Sequence, residues 1–287
     1  MRITIKTPAT SANLGPGFDT LGLALDIWGT VVVDTEAPPK PTSITRLIQQ
    51  GIDAAFGEAG KPPPVAIEYD NAIPLARGLG ASASLRIAGL IAGNKLLGGV
   101  HNDDALLVRG TQLEGFPDNA SPTIFGGLQV NVRRANGSVL HLTAPLPAGL
   151  KVVVFVPDFE MPTQESRRRL PRQFSREDAV FNVGRVALLV AALAAGRYDL
   201  LDEATQDRIH QPVRGDIFPG LRPIMTAAKE GGAAAAYLSG GGSTVAAFVQ
   251  QDEERVSRLM TQAALSHGFR GRSIITKPTL QGAHILE

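Results

Sequence analysis

Pro74-Leu75-Ala76-Arg77-Gly78-Leu79-Gly80-Ala81-Ser82-Ala83-Ser84 forms a glycine-hinged loop that runs into an alanine-rich helical segment ending near Leu97. Gly78 and Gly80 can take positive φ and let main-chain N–H groups approach an anion closely. The helix that follows aims its unpaired N–H groups and the positive end of its dipole at the same point. Ser82 and Ser84 add hydroxyls suited to a phosphate oxygen or a metal. The Walker lysine and the G-x-G-x-x-G spacing are both absent, so the loop follows neither common nucleotide pattern. Glycine turns before helices are most often only turns, so the loop is read together with the rest of the chain.

Composition narrows the setting. With 287 residues, 44% hydrophobic and 19% charged, the chain can bury a sizeable core as one large domain or two smaller ones. A net charge of +1 leaves no basic footprint for nucleic acid, and Arg167-Arg168-Arg169 is the one arginine run. Without cysteine there is no disulfide framework and no thiolate metal site, which is compatible with a cytoplasmic location. Met1 to Lys6 alternates like a strand and lacks a signal-peptide core. The longest apolar run, Val186 to Ala195, is about half a membrane span and reads as a buried helix, so no membrane partner is expected.

Strand and helix patterns interleave along the chain. Arg2 to Thr7, Thr30 to Thr35, Val65 to Tyr69, Phe125 to Val132 and Lys151 to Val156 read as strands. Ile44 to Phe56 has helical spacing with Thr42 or Ser43 as cap, and Asn102 or Asp103 can cap a helix running to about Leu113. Beyond these, Ser175 to Ala195, Leu200 to Ile209, Leu221 to Glu230 and Asp252 to His267 carry helical periodicity. Strands appear between them at Ala234 to Tyr237, Thr244 to Val249 and Ser273 to Lys277. The lack of a regular βαβ beat predicts α+β layers. A composition shift near Pro157 suggests two domains, 1–157 and 158–287.

The pattern P-x-x-x-G-L-G-[SA]-S-[AS] resembles the phosphate loop of the superfamily that includes galactokinase, homoserine kinase, mevalonate kinase and phosphomevalonate kinase. Four further segments are similar to the homoserine kinase family: Pro8 to Leu25, Glu114 to Asn119 (E-G-H-P-D-N), Thr163 to Pro171 (T-x-x-x-R-x-x-L-P) and His210 to Arg214 (H-Q-P-x-R). Leu238 to Val245 resembles its closing L-S-G-x-G-P-T-V loop. The matches span nearly the whole chain in order, which makes them far more specific together than singly.

The resemblance implies a two-domain small-molecule kinase fold, with an amino-terminal α+β half, a ferredoxin-like carboxy-terminal half and the active site in the cleft. ATP and Mg2+ would be the cofactors and L-homoserine the acceptor; a homodimer is compatible with it. Pro74, Arg77, Gly78, Leu79, Gly80, Ala81, Ser82, Ala83 and Ser84 would hold the phosphates. Ser82 matches the magnesium-contacting serine, and Glu114 is the nearest carboxylate, with Gln112 at the alternative position some relatives use. Thr163 would seat the γ-phosphate, and Asn13 and Asn119 would place the acceptor hydroxyl against it.

A zwitterionic acceptor needs an arginine for its carboxylate and a carboxylate for its ammonium. Arg167 and Arg214 stand at the family's carboxylate-binding positions, and Asp19 and Asp118 at its acidic ones. Whether Asp118 anchors the ammonium or takes the hydroxyl proton stays open; a loose phosphoryl-transfer transition state needs little base assistance. Outside a matched motif, aspartates beside Gly or Pro are ordinarily turn residues, and His210 suits a structural role as well as a catalytic one. The chain departs from the family at Ala81, Phe116 and Ser243, and Arg86 adds a charge to a helix that is commonly apolar. Two alternatives follow: a kinase of the same superfamily with another acceptor, and a non-catalytic ligand sensor on the same scaffold.

Overall fold

The computed structural model describes the chain except residues 71, 162 and 287 and the side chains of 163–165. In chain order the first elements are β1 (Arg2–Ala12), β2 (Leu21–Asp34), α1 (Ser43–Phe56), β3 (Ala66–Tyr69) and α2 (Ala81–Leu96). Next come α3 (Asp103–Glu114), α4 (Pro117–Phe125), β4 (Leu128–Arg133), β5 (Val139–Ala144) and β6 (Lys151–Pro157). The remainder is α5 (Thr163–Arg168), α6 (Arg176–Ala195), α7 (Leu201–Ala204), α8 (Gln211–Ile217), α9 (Leu221–Glu230), β7 (Ala235–Leu238), β8 (Val245–Val249), α10 (Glu253–Ser266), β9 (Gly271–Thr276) and β10 (His284–Leu286).

Two antiparallel sheets carry the fold. The first runs β10-β1-β2-β4-β5, with β3 pairing the far half of the long β2 while β4 pairs its near half. Pro8, which has no N–H to give the ladder, sits at the register shift between β1 and β2. The second sheet runs β7-β8-β6-β9. Its connectivity, strand, helices, strand, strand, helix, strand, with β6 and β8 central, is the ferredoxin-like βαββαβ arrangement. β6 pairs here although it precedes the expected boundary at 157, and β10 returns to the first sheet. Strand pairing therefore puts all of Lys151–Pro157 in the second sheet and His284–Leu286 in the first.

Alternation explains the layers. Val152, Val154 and Val156 of β6 face a core shared with Leu21, Leu23 and Leu25 of β2 and Leu189 of α6, while Val153 and Phe155 face α9 and α10 through Ile224 and Met260. A strand buried on both faces reads as a continuous apolar run, as KVVVFVP does. On the first sheet, Ile3, Ile5, Val31 and Val33 pack under Ile48 and Ile52 of α1 and Leu85 of α2. Thr42 caps α1 with a reciprocal capping box to Thr45, and Asn102 caps α3.

Some expectations from the sequence need correction. The segment 200–209 is helical only as far as Ala204, and α8 follows as a separate helix. Phe125 ends α4 and begins no strand; β4 starts at Leu128. Within the apolar run 186–195 of α6, Leu189, Ala192 and Leu193 are buried and Val186, Leu188 and Val190 pack against the same core, whereas Val180 and Val183, before that run, are 66% and 70% exposed. By length and composition alone, α6 is apolar enough to cross a membrane.

Candidate active site

The glycine loop works through its backbone. Gly78 and Gly80 have φ of 79° and 68°, the region that favours glycine. A Cβ on Gly78 would stand 2.2 Å from the Ser239 carbonyl oxygen, and one on Gly80 1.9 Å from Thr10 Oγ1. The carbonyls of Arg77, Gly78 and Leu79 accept from Thr244 N at 2.9 Å, Ser239 Oγ at 2.7 Å and Thr10 N at 3.1 Å. Because a trans peptide points its N–H opposite its C=O, these bonds turn the N–H groups of Gly78, Leu79 and Gly80 away from the supporting strands. No side chain caps α2. Its first-turn N–H groups are left for an anion.

The second glycine loop, 240–242, is the support. Gly240 N donates to Ala12 O, and its carbonyl accepts from Asn13 Nδ2 at 2.9 Å and Arg214 Nη1 at 3.0 Å. Ser11 and Ser239 share a buried hydroxyl pair at 2.8 Å. Loop 13–19, the phosphate loop and loop 240–242 are thus tied to one another.

Two side chains that the resemblance places on phosphate are engaged elsewhere. Arg77 donates to the carbonyls of Leu75, Pro157 and Asp158, so its guanidinium clamps the phosphate loop to the end of β6. Ser84 Oγ lies 2.5 Å from Thr7 Oγ1 in a buried pair that seats α2 on β1. Leu79 and Ala83 are fully buried and offer only backbone, and Ala81 is nearly so. Pro74 lines an open depression with Arg77 and Asp158. Thr163 begins α5, and its side chain lies outside the described residues.

Ser82 and Glu114 meet: Ser82 Oγ donates to Glu114 Oε1 at 3.1 Å. Arg86, one turn after Ser82 on α2, donates to Glu114 Oε1 at 2.6 Å and Ser82 Oγ at 3.0 Å, and its Nε donates to Gln50 at 3.1 Å. Gln112 faces elsewhere, lining a depression with Ala54, Val108 and Arg109. A hydroxyl and a carboxylate oxygen 3.1 Å apart suit a hard divalent ion once Arg86 gives them up, and of the two alternatives only Glu114 reaches Ser82.

Past Glu114 a charged cluster closes the site. Asp118, in the first turn of α4, is 6% exposed; burial first and the nearby Asp19 second push its carboxyl up to about 7 against the pull of Arg167. Asp19 takes a bidentate pair from Arg167 at 2.5 and 2.9 Å. Asp19 is held by its N–H donating to Asn13 Oδ1 at 3.0 Å, in a turn where Asn13, Leu14 and Asp19 all have positive φ. Arg167 stacks over Phe116 at 3.9 Å and over Phe18 at 5.1 Å. Asn119 Oδ1 accepts from Thr10 Oγ1 at 2.8 Å, and its Nδ2 donates to Asp118 at 3.4 Å.

Arg214 is 1% exposed, and burial pulls its guanidinium down to about 10. It donates to His210 Nδ1 at 2.8 Å, while its buried Nε has no partner. His210 in turn lies 2.7 Å from the Gly15 carbonyl through Nε2, which fixes the Nε2–H tautomer, and burial brings its pKa down to about 4, so the ring is neutral. The imidazole is a brace between loop 13–19 and Arg214. Asp207 anchors the same corner by accepting from the N–H groups of Ile209, His210 and Gln211.

The sequence points to neither Thr10 nor Phe18 as a site residue, because each meets its partner, Asn119 of α4 or Arg167 of α5, from far away in the chain. It also misses a narrow crevice beside the phosphate loop, lined by Val31, Tyr69, Ile73, Leu75, Ala81 and Leu85.

The profile of the GHMP kinases N terminal domain matches residues 45–127, and that of the GHMP kinases C terminal matches 189–266. The chain is 38% identical over 294 residues to homoserine kinase of Moorella thermoacetica, covering 98% of this chain and 99% of the relative. It is 43% identical over 239 residues to that of Deinococcus radiodurans, covering 79% and 78%. Among solved structures, homoserine kinase from Cytophaga hutchinsonii superposes with a TM-score of 0.87 at 26% identity, over 99% of this chain and 97% of that one. With its glycine loop and charged cluster in these positions, the chain belongs to the homoserine kinase family of the GHMP kinases.

Proposed function

We propose that the protein transfers the γ-phosphoryl group of ATP to the hydroxyl of L-homoserine, giving O-phospho-L-homoserine on the way to threonine. The observation that carries this reading is the group of two aspartates and two arginines beside an uncapped helix N-terminus, because it offers both charges a zwitterion needs next to a phosphate cradle. The N–H groups of residues 78–83 take the phosphates. The adenosine moiety extends from the phosphate loop toward the narrow crevice at Tyr69 and Ile73, whose side chains must part to admit it, and the cleft between the halves, divided near residue 150, holds the reaction.

Ser82 and Glu114 would hold magnesium, which when bound offsets phosphate charge. Asn119, fixed by Thr10, orients the acceptor hydroxyl or a γ-oxygen, and Asn13 keeps loop 13–19 closed on Gly240. Arg214, already desolvated and with a spare donor, meets the substrate carboxylate; Arg167 supports it from the Asp19 pair. Asp118 anchors the ammonium: a cation beside it stabilises the ionised carboxylate, so binding draws its proton off near neutrality. Phosphoryl transfer then rests on alignment and on fixed N–H dipoles more than on base strength.

Coupled measurement of ADP release over L-homoserine, mevalonate and galactose tests this. Turnover dependent on L-homoserine and magnesium is expected. Equal turnover of mevalonate would transfer the protein to the reading with another acceptor, and ligand binding without any turnover would make it a sensor.

A further inference from the structure

Arg86 is spent in an unusual place. Its guanidinium touches both oxygens that would hold the metal, at 2.6 Å from Glu114 and 3.0 Å from Ser82, and the Arg86 and Glu114 side chains are only 19% and 15% exposed. The arrangement costs the site something. An ion held by both oxygens at roughly 2.1 Å would draw on the same lone pairs, and a guanidinium beside a dication is repelled. Gln50, bonded to Arg86 Nε, keeps the side chain near α2 when the Glu114 bond is given up. Arg86 lies on the same face as Ser82, one turn from the N–H groups that face the anion, so the nearest new partner is a phosphate oxygen.

We propose that Arg86 is a resident cation of the nucleotide site: it holds Ser82 and Glu114 together, yields them to an entering divalent ion, and turns its guanidinium onto the nucleotide's phosphates. It is thereby a phosphate-contacting residue that sets how strongly nucleotide binding depends on metal. The inference rests on the proposed nucleotide site at the start of α2.

The test measures binding with no turnover. ADP affinity is determined by calorimetry in excess chelator and again with magnesium, and Mn2+ affinity for the ADP complex is read by electron paramagnetic resonance, for the wild type, Arg86→Met and Arg86→Lys. Arg86→Met is expected to lose about tenfold in metal-free ADP affinity, the worth of one charge-assisted hydrogen bond, and to bind Mn2+ several-fold tighter. Arg86→Lys restores part of the metal-free ADP affinity, which a purely structural arginine would not predict. If Arg86→Met melts early, Arg86→Gln, which can still donate to Glu114, is expected to shift both affinities the same way. Unchanged metal-free ADP affinity, or unchanged Mn2+ affinity, in a folded variant overturns the proposal. A wild type that binds no ADP even with magnesium instead overturns the nucleotide site itself.

Discussion

The two ends of the site are built from different materials. At the phosphate end, glycine backbone is locked by hydrogen bonds from Thr10, Ser239 and Thr244, and two side chains that look chemical, Arg77 and Ser84, are engaged in structural bonds. At the acceptor end the backbone only delivers side chains, and Asp19, Asp118, Arg167 and Arg214 are the groups we propose to recognise the substrate. A dipole array made of backbone cannot be altered without moving the chain, whereas a charge cluster can be changed one group at a time. Substitutions should therefore be abrupt at the first end and graded at the second.

The sharpest break falls at Gly78. Its Cβ would collide with a backbone carbonyl that cannot move independently, at positive φ. Gly78→Ala should abolish turnover to below a thousandth, weaken ADP binding and lower stability by about 2–4 kcal/mol. Calorimetric ADP titration with a melting curve checks it. Near-normal activity would erase the distinction drawn between the two ends. Glu114→Gln comes next, with an expected loss on the order of a hundredfold in kcat and a raised magnesium requirement. Gln112→Ala, on the opposite side of α3, should change either value less than twofold; the reverse pattern in a magnesium titration moves the metal site two residues upstream.

At the acceptor end, Arg214→Lys removes the planar fork but keeps the charge. The homoserine KM should rise about a hundredfold while the ATP KM stays within about twofold. An effect on ATP instead would assign Arg214 to the nucleotide.

The contrast also explains what could be read from the chain. The phosphate loop was legible because only glycine suits those φ values, and the α+β layering because β6 and β8 are plain apolar runs. The matched motifs named the charged cluster but not its pairing, since Arg167 and Asp19 are 148 residues apart and each was assigned to substrate. The motif places Arg77 and Ser84 on phosphate because a sequence does not reveal that Pro157 and Thr7 lie within reach. α4 leaves no helical signature in the sequence because it is short and contains Pro122, and the helix expected over 200–209 fails where Asp207 draws three N–H groups into a turn. The first half of β2 is broken up by Gly22 and Asp26 and reads as a strand only after pairing with β1.

Asp118 links charge to pH. Its native carboxyl, about 7, is raised from 3.8, so the folded state binds the extra proton between those values. Stability is therefore undiminished below about pH 4, falls as pH rises toward 7 and levels off above it, a penalty of up to roughly 4 kcal/mol at 1.4 per pKa unit. Asp118→Asn removes that penalty, so its melting temperature should match the wild type near pH 4 and exceed it at pH 8. In the wild type the homoserine KM should fall from pH 6 to 8 as the anchor ionises, and in Asp118→Asn it should be high and flat. A variant whose KM is normal but whose kcat is lost would instead make Asp118 a proton acceptor.

The smallest expected effect concerns Phe116, where the family carries histidine. Its ring lies 3.9 Å beneath the Arg167 guanidinium and, with Phe18 at 5.1 Å, keeps that side chain squared to Asp19. Arg167 is itself 35% exposed, so the stacking contributes on the order of 0.5–1 kcal/mol. Phe116→Leu keeps the bulk and loses the π face; the homoserine KM should rise about threefold with kcat and the ATP KM unchanged. Phe116→His separates orientation from bulk. Above pH 7.5 the neutral imidazole can stack as phenylalanine does, but near pH 5.5 its cation faces Arg167 and repels it. The homoserine KM of Phe116→His should therefore climb more steeply toward low pH than that of Phe116→Leu, whose profile should run parallel to the wild type. Identical profiles for the two variants would mean that Arg167 is held by Asp19 alone, and the acceptor end would then be graded by its charges without any contribution from its rings.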